Sequence, residues 1–351
     1  MSTMTFKCPC CGGYLEFDPS QQKFKCLYCG QVLSEEELRE ESRKRENESE
    51  AAQTETQTAS EEKLQTYQCQ MCGAEIVTDE TTAATRCYFC HSPVVLHDRL
   101  DDEFRPDGVI PFQLDKAAAE QQFLAHIQKK KFLDRSFFNG AQLEMFSGVY
   151  YPWWYTDVDG TATFDGEGER TSVTSTPNHI VTTHRVFHVN REGRLSFRNI
   201  ARKALTKADG KLSDGIHPYD VSGVKPYANG YLSGFLAEKR DINEAAAQEE
   251  SVREASGYAS SMIKQNHSFN HLNGKTSFKA NRVQSKYILL PAWVLTYKGG
   301  KDGAPYYYMM NGQTGRVCGK LPIDKKRVLA TALGLGLAVF LLLCGGGAFI
   351  W

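Results

Sequence analysis

The chain lacks a hydrophobic stretch at its amino terminus, where Met1 to Lys7 predict no signal peptide. It also lacks an excess of either charge: 41 Lys and Arg stand against 42 Asp and Glu in 351 residues, which gives no global reason to expect a polyanionic partner. No Gly-x-Ser-x-Gly elbow, Walker loop or dinucleotide fingerprint occurs, so the common local signatures of hydrolases, NTPases and dehydrogenases are missing and no catalytic residue is assigned. Charge is absent from the last 24 residues, Val328 to Trp351, which follow directly on Lys325, Lys326 and Arg327. A helix of that length reaches about 36 Å, more than the roughly 30 Å of a hydrocarbon core. Residues 325–351 are therefore predicted to be a basic flank and a carboxyl-terminal transmembrane anchor, inserted after synthesis. The positive-inside tendency puts the rest in the cytoplasm, a single-pass placement at the cell membrane. Ala330, Gly334 and Ala338, at four-residue spacing, would let two such helices pack as a homodimer.

Cysteine, by contrast, is plentiful, with eleven in the chain. In a reducing cytosol such a number favours metal binding over disulfides. Cys8 and Cys11 are separated by two residues, as are Cys26 and Cys29, with fourteen between the pairs; Cys69, Cys72, Cys87 and Cys90 repeat that arithmetic. Two thiolates at this spacing can point at one ion from one tight knuckle, and two knuckles complete a tetrahedron of four sulfurs about 2.3 Å from zinc. Two zinc ribbons, 1–33 and 67–99, each with one structural Zn2+, are predicted on this basis. Gly12, Gly30 and Gly73 follow three of the knuckles, where a positive φ suits glycine; His91 takes that place in the fourth and could stand in for a sulfur ligand. Cys10 reads as a spectator able to exchange with Cys11, and Cys318 and Cys344 as isolated small hydrophobes. Four-sulfur sites have no open coordination position, so these ions would hold shape rather than do chemistry. Residues 1–30 balance at plus one and residues 67–99 at minus two. Neither is a Lys/Arg cluster suited to phosphates, so nucleic acid is not the expected partner.

Between the ribbons, the linker 34–66 carries eleven glutamates against five basic residues and cannot bury a core. The remainder, 100–322, is predicted to be an α+β body with an internal repeat. One helix beginning near Asp115 precedes a strand with Pro152, Trp153 and Trp154; another beginning near Asp241 precedes one with Pro291, Ala292 and Trp293. Each Asp is an expected N-cap. Val181 to Val189 reads as a further strand, on which His184 and His188 share a face and together could bind a metal, although a polar sheet surface accounts for them more simply.

The two ribbons, together with Val109 to Phe112, Gly148 to Trp154, Pro218 to Asp220, the run Gly230 to Glu238, and Asn311 to Gly315, resemble bacterial membrane-associated double zinc-ribbon (TFIIB-type zinc ribbon-containing) proteins of the YdjG type. The resemblance covers nearly the whole chain. It implies recruitment of a flotillin-like SPFH-domain protein and a PspA-like membrane-stress protein to the inner face of the membrane. The function expected is a non-enzymatic, tail-anchored adaptor; a membrane-tethered nucleic-acid binder is the alternative, and the "helicase-like" label of that group finds no Walker lysine here.

Overall fold

Three strands of unusual length organise the molecule. The computed structural model describes residues 3–4, 6–38, 40, 64–69, 75–79, 81–87, 92–96, 100, 104–130, 132, 146–177, 179–207, 210–265, 268–298, 305–319 and 323–347. After β1 (Thr3–Met4), the strands β2 (Leu15–Asp18), β3 (Lys23–Cys26) and β4 (Val32–Leu33) form a small antiparallel sheet. Its alternation puts Leu15, Phe17, Phe24 and Cys26 inside. A second cysteine-bearing region holds β5 (Leu64–Gln68) paired with β6 (Glu75–Asp79), then β7 (Thr82–Arg86) and β8 (Pro93–Leu96). The body comprises β9 (Gly108–Val109), α1 (Lys116–Gln128), β10 (Ser147–Ser175), β11 (Ile180–Lys203), α2 (Gly210–Gly215), β12 (Lys225–Pro226), β13 (Leu236–Glu238), α3 (Glu244–Lys264), β14 (His271–Lys298), β15 (Pro305–Asn311), β16 (Val317–Gly319) and α4 (Lys325–Gly347).

One sheet runs through most of this, in the order β1-β8-β7-β13-β10-β14-β15-β16, with β11 on β10 and β9 on β14. The second cysteine region is thereby sewn into the body: β7 pairs with β13 and β8 with β1. Strands hold 46 % of the described residues, and the predicted α+β architecture is corrected to a sheet-dominated one. The sequence undercounts strand because β10 and β11 run on past the body as Thr-, Ser-, Gly- and charge-rich segments with few apolar residues, and both faces are exposed toward the tip.

Two segments of the body are arranged about a pseudo-two-fold axis. Strands β10 and β14 pair antiparallel, with Pro152 opposite Leu289 and Pro291 opposite Tyr150, so the two Pro-x-Trp segments straddle the Tyr151–Leu290 pair symmetrically. On their outer sides β13 runs parallel to Val149–Tyr150 and β9 parallel to Ile288–Leu289. The hydrogen bonds repeat the same exchange. Trp154 Nε1 donates to the carbonyl of Ile242, just before α3, and Trp293 Nε1 to that of Leu114, just before α1. Ala204 donates to Pro152 O and accepts from Asp241 and Ile242, while Gly312 donates to Pro291 O and accepts from Gln113 and Leu114. Each helix therefore has its entry fixed by the other half's strands.

Asp115 caps α1, its Oδ1 accepting from Ala118 N at 2.7 Å. At α3 the expected cap is displaced by two residues: Asn243 accepts from Ala246 N, whereas Asp241 is taken by the N–H of Thr206. The predicted transmembrane anchor is likewise corrected, since no helix among the described residues is long and apolar enough to cross a membrane. In α4 the stretch Val328 to Phe340 carries no charge but includes Thr331, Gly334 and Gly336. Residues 348–351 lie outside the described residues, as does most of the predicted linker, 41–63.

Candidate metal centre

Tight backbone turns bring the first four cysteines together. Cys8 N–H donates to Gly13 O at 2.6 Å and Gly12 N–H back to Cys8 O at 2.9 Å; Cys26 repeats this with Gln31 and Gly30 at 2.8 and 3.0 Å. Gly12 and Gly30 have φ of +72° and +76°, a region that side chains with a Cβ rarely adopt. The sulfurs of Cys8, Cys11, Cys26 and Cys29 all lie within 4.8 Å of one another, with Cys8 to Cys29 at 3.6 Å and Cys11 to Cys26 at 3.5 Å. Four ligands at about 2.3 Å around a tetrahedral ion would stand about 3.8 Å apart, so the cage is close to the size zinc requires. Cys10 points away to the Gln31 side chain, 3.9 Å distant, which makes it a spectator.

The electrostatics also call for a cation. Burial raises the Cys26 thiol, but the N–H groups of Cys29 and Tyr28 outweigh it and bring Cys26 down to about 7. For Cys29 the N–H of Gln31 pulls downward, yet the neighbouring Cys11 and Cys8 sulfurs and desolvation push it up to about 12. The Cys26 thiolate forms readily, whereas Cys11 and Cys29 resist ionisation without a positive charge beside them.

The centre is packed against the body rather than free. Phe17 and Phe24 sit edge-on and tilted against Tyr231, at centroid distances of 5.1 and 5.9 Å. Phe17 N–H donates to Ser233 O and Ser233 Oγ to Leu15 O, so β2 is stitched to the turn before β13. Arg86 of β7 reaches Glu16 at 2.9 Å and Gly234 O at 2.8 Å, which ties both cysteine regions to one point. A contact network of this kind joins residues about seventy to two hundred positions apart, and no spacing rule on the sequence signals it.

Of the second predicted set, Cys69 and Cys87 are buried with Tyr67, Ile76, Val94 and Leu96 in a small core of their own. Cys87 N–H donates to Ser92 O at 3.0 Å, the same five-residue closure that shapes the first knuckles. The first cysteine of each knuckle is buried: Cys8, Cys26, Cys69 and Cys87. Cys72, Cys90 and His91 lie outside the described residues.

His184 and His188 do not form one site. Four residues along a strand span about 13 Å, too far for a shared ion. Each instead has its own carboxylate, which the sequence reading did not find: His184 Nδ1 meets Glu169, and His188 Nε2 lies 3.0 Å from Asp165.

No family model and no solved structure matches the chain. Among curated proteins, YdjG of Bacillus subtilis (strain 168), itself uncharacterised, is 30 % identical over 352 residues, spanning 98 % of this chain and 99 % of that one. The chain belongs to the YdjG family. Since the similarity runs from end to end, membership rests on the whole assembly of knuckles and doubled body, of which the cysteine spacing is one part.

Proposed function

We propose that this YdjG-family chain is a non-enzymatic protein-binding adaptor stiffened by two structural zinc ions. The first would be held by Cys8, Cys11, Cys26 and Cys29, the second by Cys69, Cys72, Cys87 and Cys90. Thiolate ligands need a reducing compartment, which favours a cytosolic location. The observation that carries this reading is the docking of the first four-sulfur cage onto Tyr231 and Ser233 of the body. A four-thiolate ion has no open position for substrate, and one tied into the body's packing acts as a buttress for a platform. The closure of Cys87 on Ser92 and the paired burial of Cys69 and Cys87 support the second ion. The partners implied by the resemblance, an SPFH-domain protein and a PspA-like protein, are the first candidates.

The full chain, purified with its metal, should contain two zinc ions, and Cys87→Ser should leave one. Chemical cross-linking and mass measurement with each candidate partner should give a stoichiometric complex that this variant weakens. A chain with one zinc, or one that binds neither candidate but binds DNA or RNA at physiological salt, would overturn the reading.

A further inference from the structure

The long strands carry the sheet past the body. The last carbonyls of α3, Ile263 and Gln265, accept from Arg191, which stands opposite Phe164. Beyond that level β10 and β11 continue to Ser175 and Ile180, with β14 alongside as far as His271. Among the described residues β11 pairs with β10 alone, so a 24-residue strand, about 80 Å long, presents an open edge. An unpaired edge of this length is a template for another strand unless its chemistry discourages one.

The chemistry of β11 selects rather than discourages. It carries Arg185, Arg191, Arg194, Arg198, Arg202 and Lys203 against the single acid Glu192. Arg198 and Arg202 are held by Asp159 and Glu254 near the body, while Arg185 and Arg194 have no carboxylate partner among the described residues. Two copies of such an edge would repel each other, which argues against a second copy of this chain. Strand alternation puts Arg194 on one face with His184 and His188. The other face carries exposed Val181 and Phe187 with Leu195 further in.

We propose that β11 is a strand-addition site for an extended acidic segment of a protein partner, with one carboxylate beside Arg194 on one face and another beside Arg185, next to Phe187, on the other. Main-chain hydrogen bonds would supply the affinity and charge the selectivity. This rests on the adaptor reading and names the chemistry of its partner.

The test uses the full zinc-loaded chain and a fluorescent peptide of about twelve residues, rich in Val, with Glu on both faces. Anisotropy should report binding at physiological salt, and hydrogen exchange should slow at amides between 180 and 195. R185E/R194E, whose side chains are exposed and play no part in packing, should weaken binding by about tenfold or more, as should backbone N-methylation at alternate peptide residues. Equal affinity for the N-methylated peptide, protection confined to other elements, or no binding at all would overturn strand addition, as would equally tight binding of single-stranded RNA that competes with the peptide. A stoichiometric partner indifferent to R185E/R194E would sink this proposal and leave the adaptor standing; peptide binding with no partner would do the reverse.

Discussion

The two halves of the body share one hydrogen-bond scheme and differ in what they hang on it. In the first, the β10–β11 hairpin is drawn out into an arm; in the second, β14 turns back into a β15 of seven residues. On the outer side, β9 receives only the two-residue β12, whereas β13 receives β7 from the second cysteine region. The shared part depends on backbone carbonyls of Ile242, Leu114, Ala204 and Gly312, plus two indoles that only Trp supplies. Edges and hairpin tips, free of that exchange, are where the halves diverge.

The sharpest way to break the comparison is to remove the indoles. Trp154→Ala and Trp293→Ala should each cost about 3 to 5 kcal/mol by urea unfolding. Trp293→Ala should cost more, because that ring touches Phe112, Phe146 and Phe235 while Trp154 leans on Tyr287 and Arg240. Trp→Phe removes the N–H together with part of the ring, and similar costs of at least about 1 kcal/mol at both positions are expected if the exchange is symmetric; a cost at one position alone would show that only one half is clasped.

The segment between the halves should make stability depend on pH. Burial, aided by the Arg316 charge, holds His217 down at about 4, where it packs on Trp153. The unfolded chain takes up that proton near pH 6.5, so stability is full above this and falls as pH drops toward 4, by up to about 3 kcal/mol. His217→Gln should flatten the urea midpoint across that window; an unchanged slope would place the dependence elsewhere.

The smallest effects test the caps. Asp115→Ala and Asn243→Ala should each lose about 1 kcal/mol of stability, and Asn243→Asp should restore most of the latter. Asp241→Ala should behave as the loss of one turn contact to Thr206, with α3 intact by circular dichroism.

These cases also mark what could be read in advance. Cysteine spacing placed the first cage correctly because ligand geometry depends on a few neighbouring residues. Asp115 was legible as a cap, while Asn243 was obscured by an equally suitable Asp two residues upstream that is claimed by a residue 35 positions away. Of the arm, Val181 to Val189 was legible as a strand, but the full length of β10 and β11 was not, because toward the tip both faces are exposed and apolar residues are sparse. The apolar tail invited a membrane reading, but no helix among the described residues is long and apolar enough to cross a membrane. The docking of Phe17 on Tyr231 joins residues some two hundred apart and leaves no local trace.

The reciprocal clasp has a consequence for the order of assembly. When α1 and β10 leave the ribosome, the carbonyl of Gly312 and the indole of Trp293 that hold α1 have yet to be made. The first half must wait, loosely gathered, for the last sixth of the chain, and contacts so distant in sequence form slowly. A nascent chain stalled before residue 312 would therefore carry both cysteine regions without the closed body they lean against.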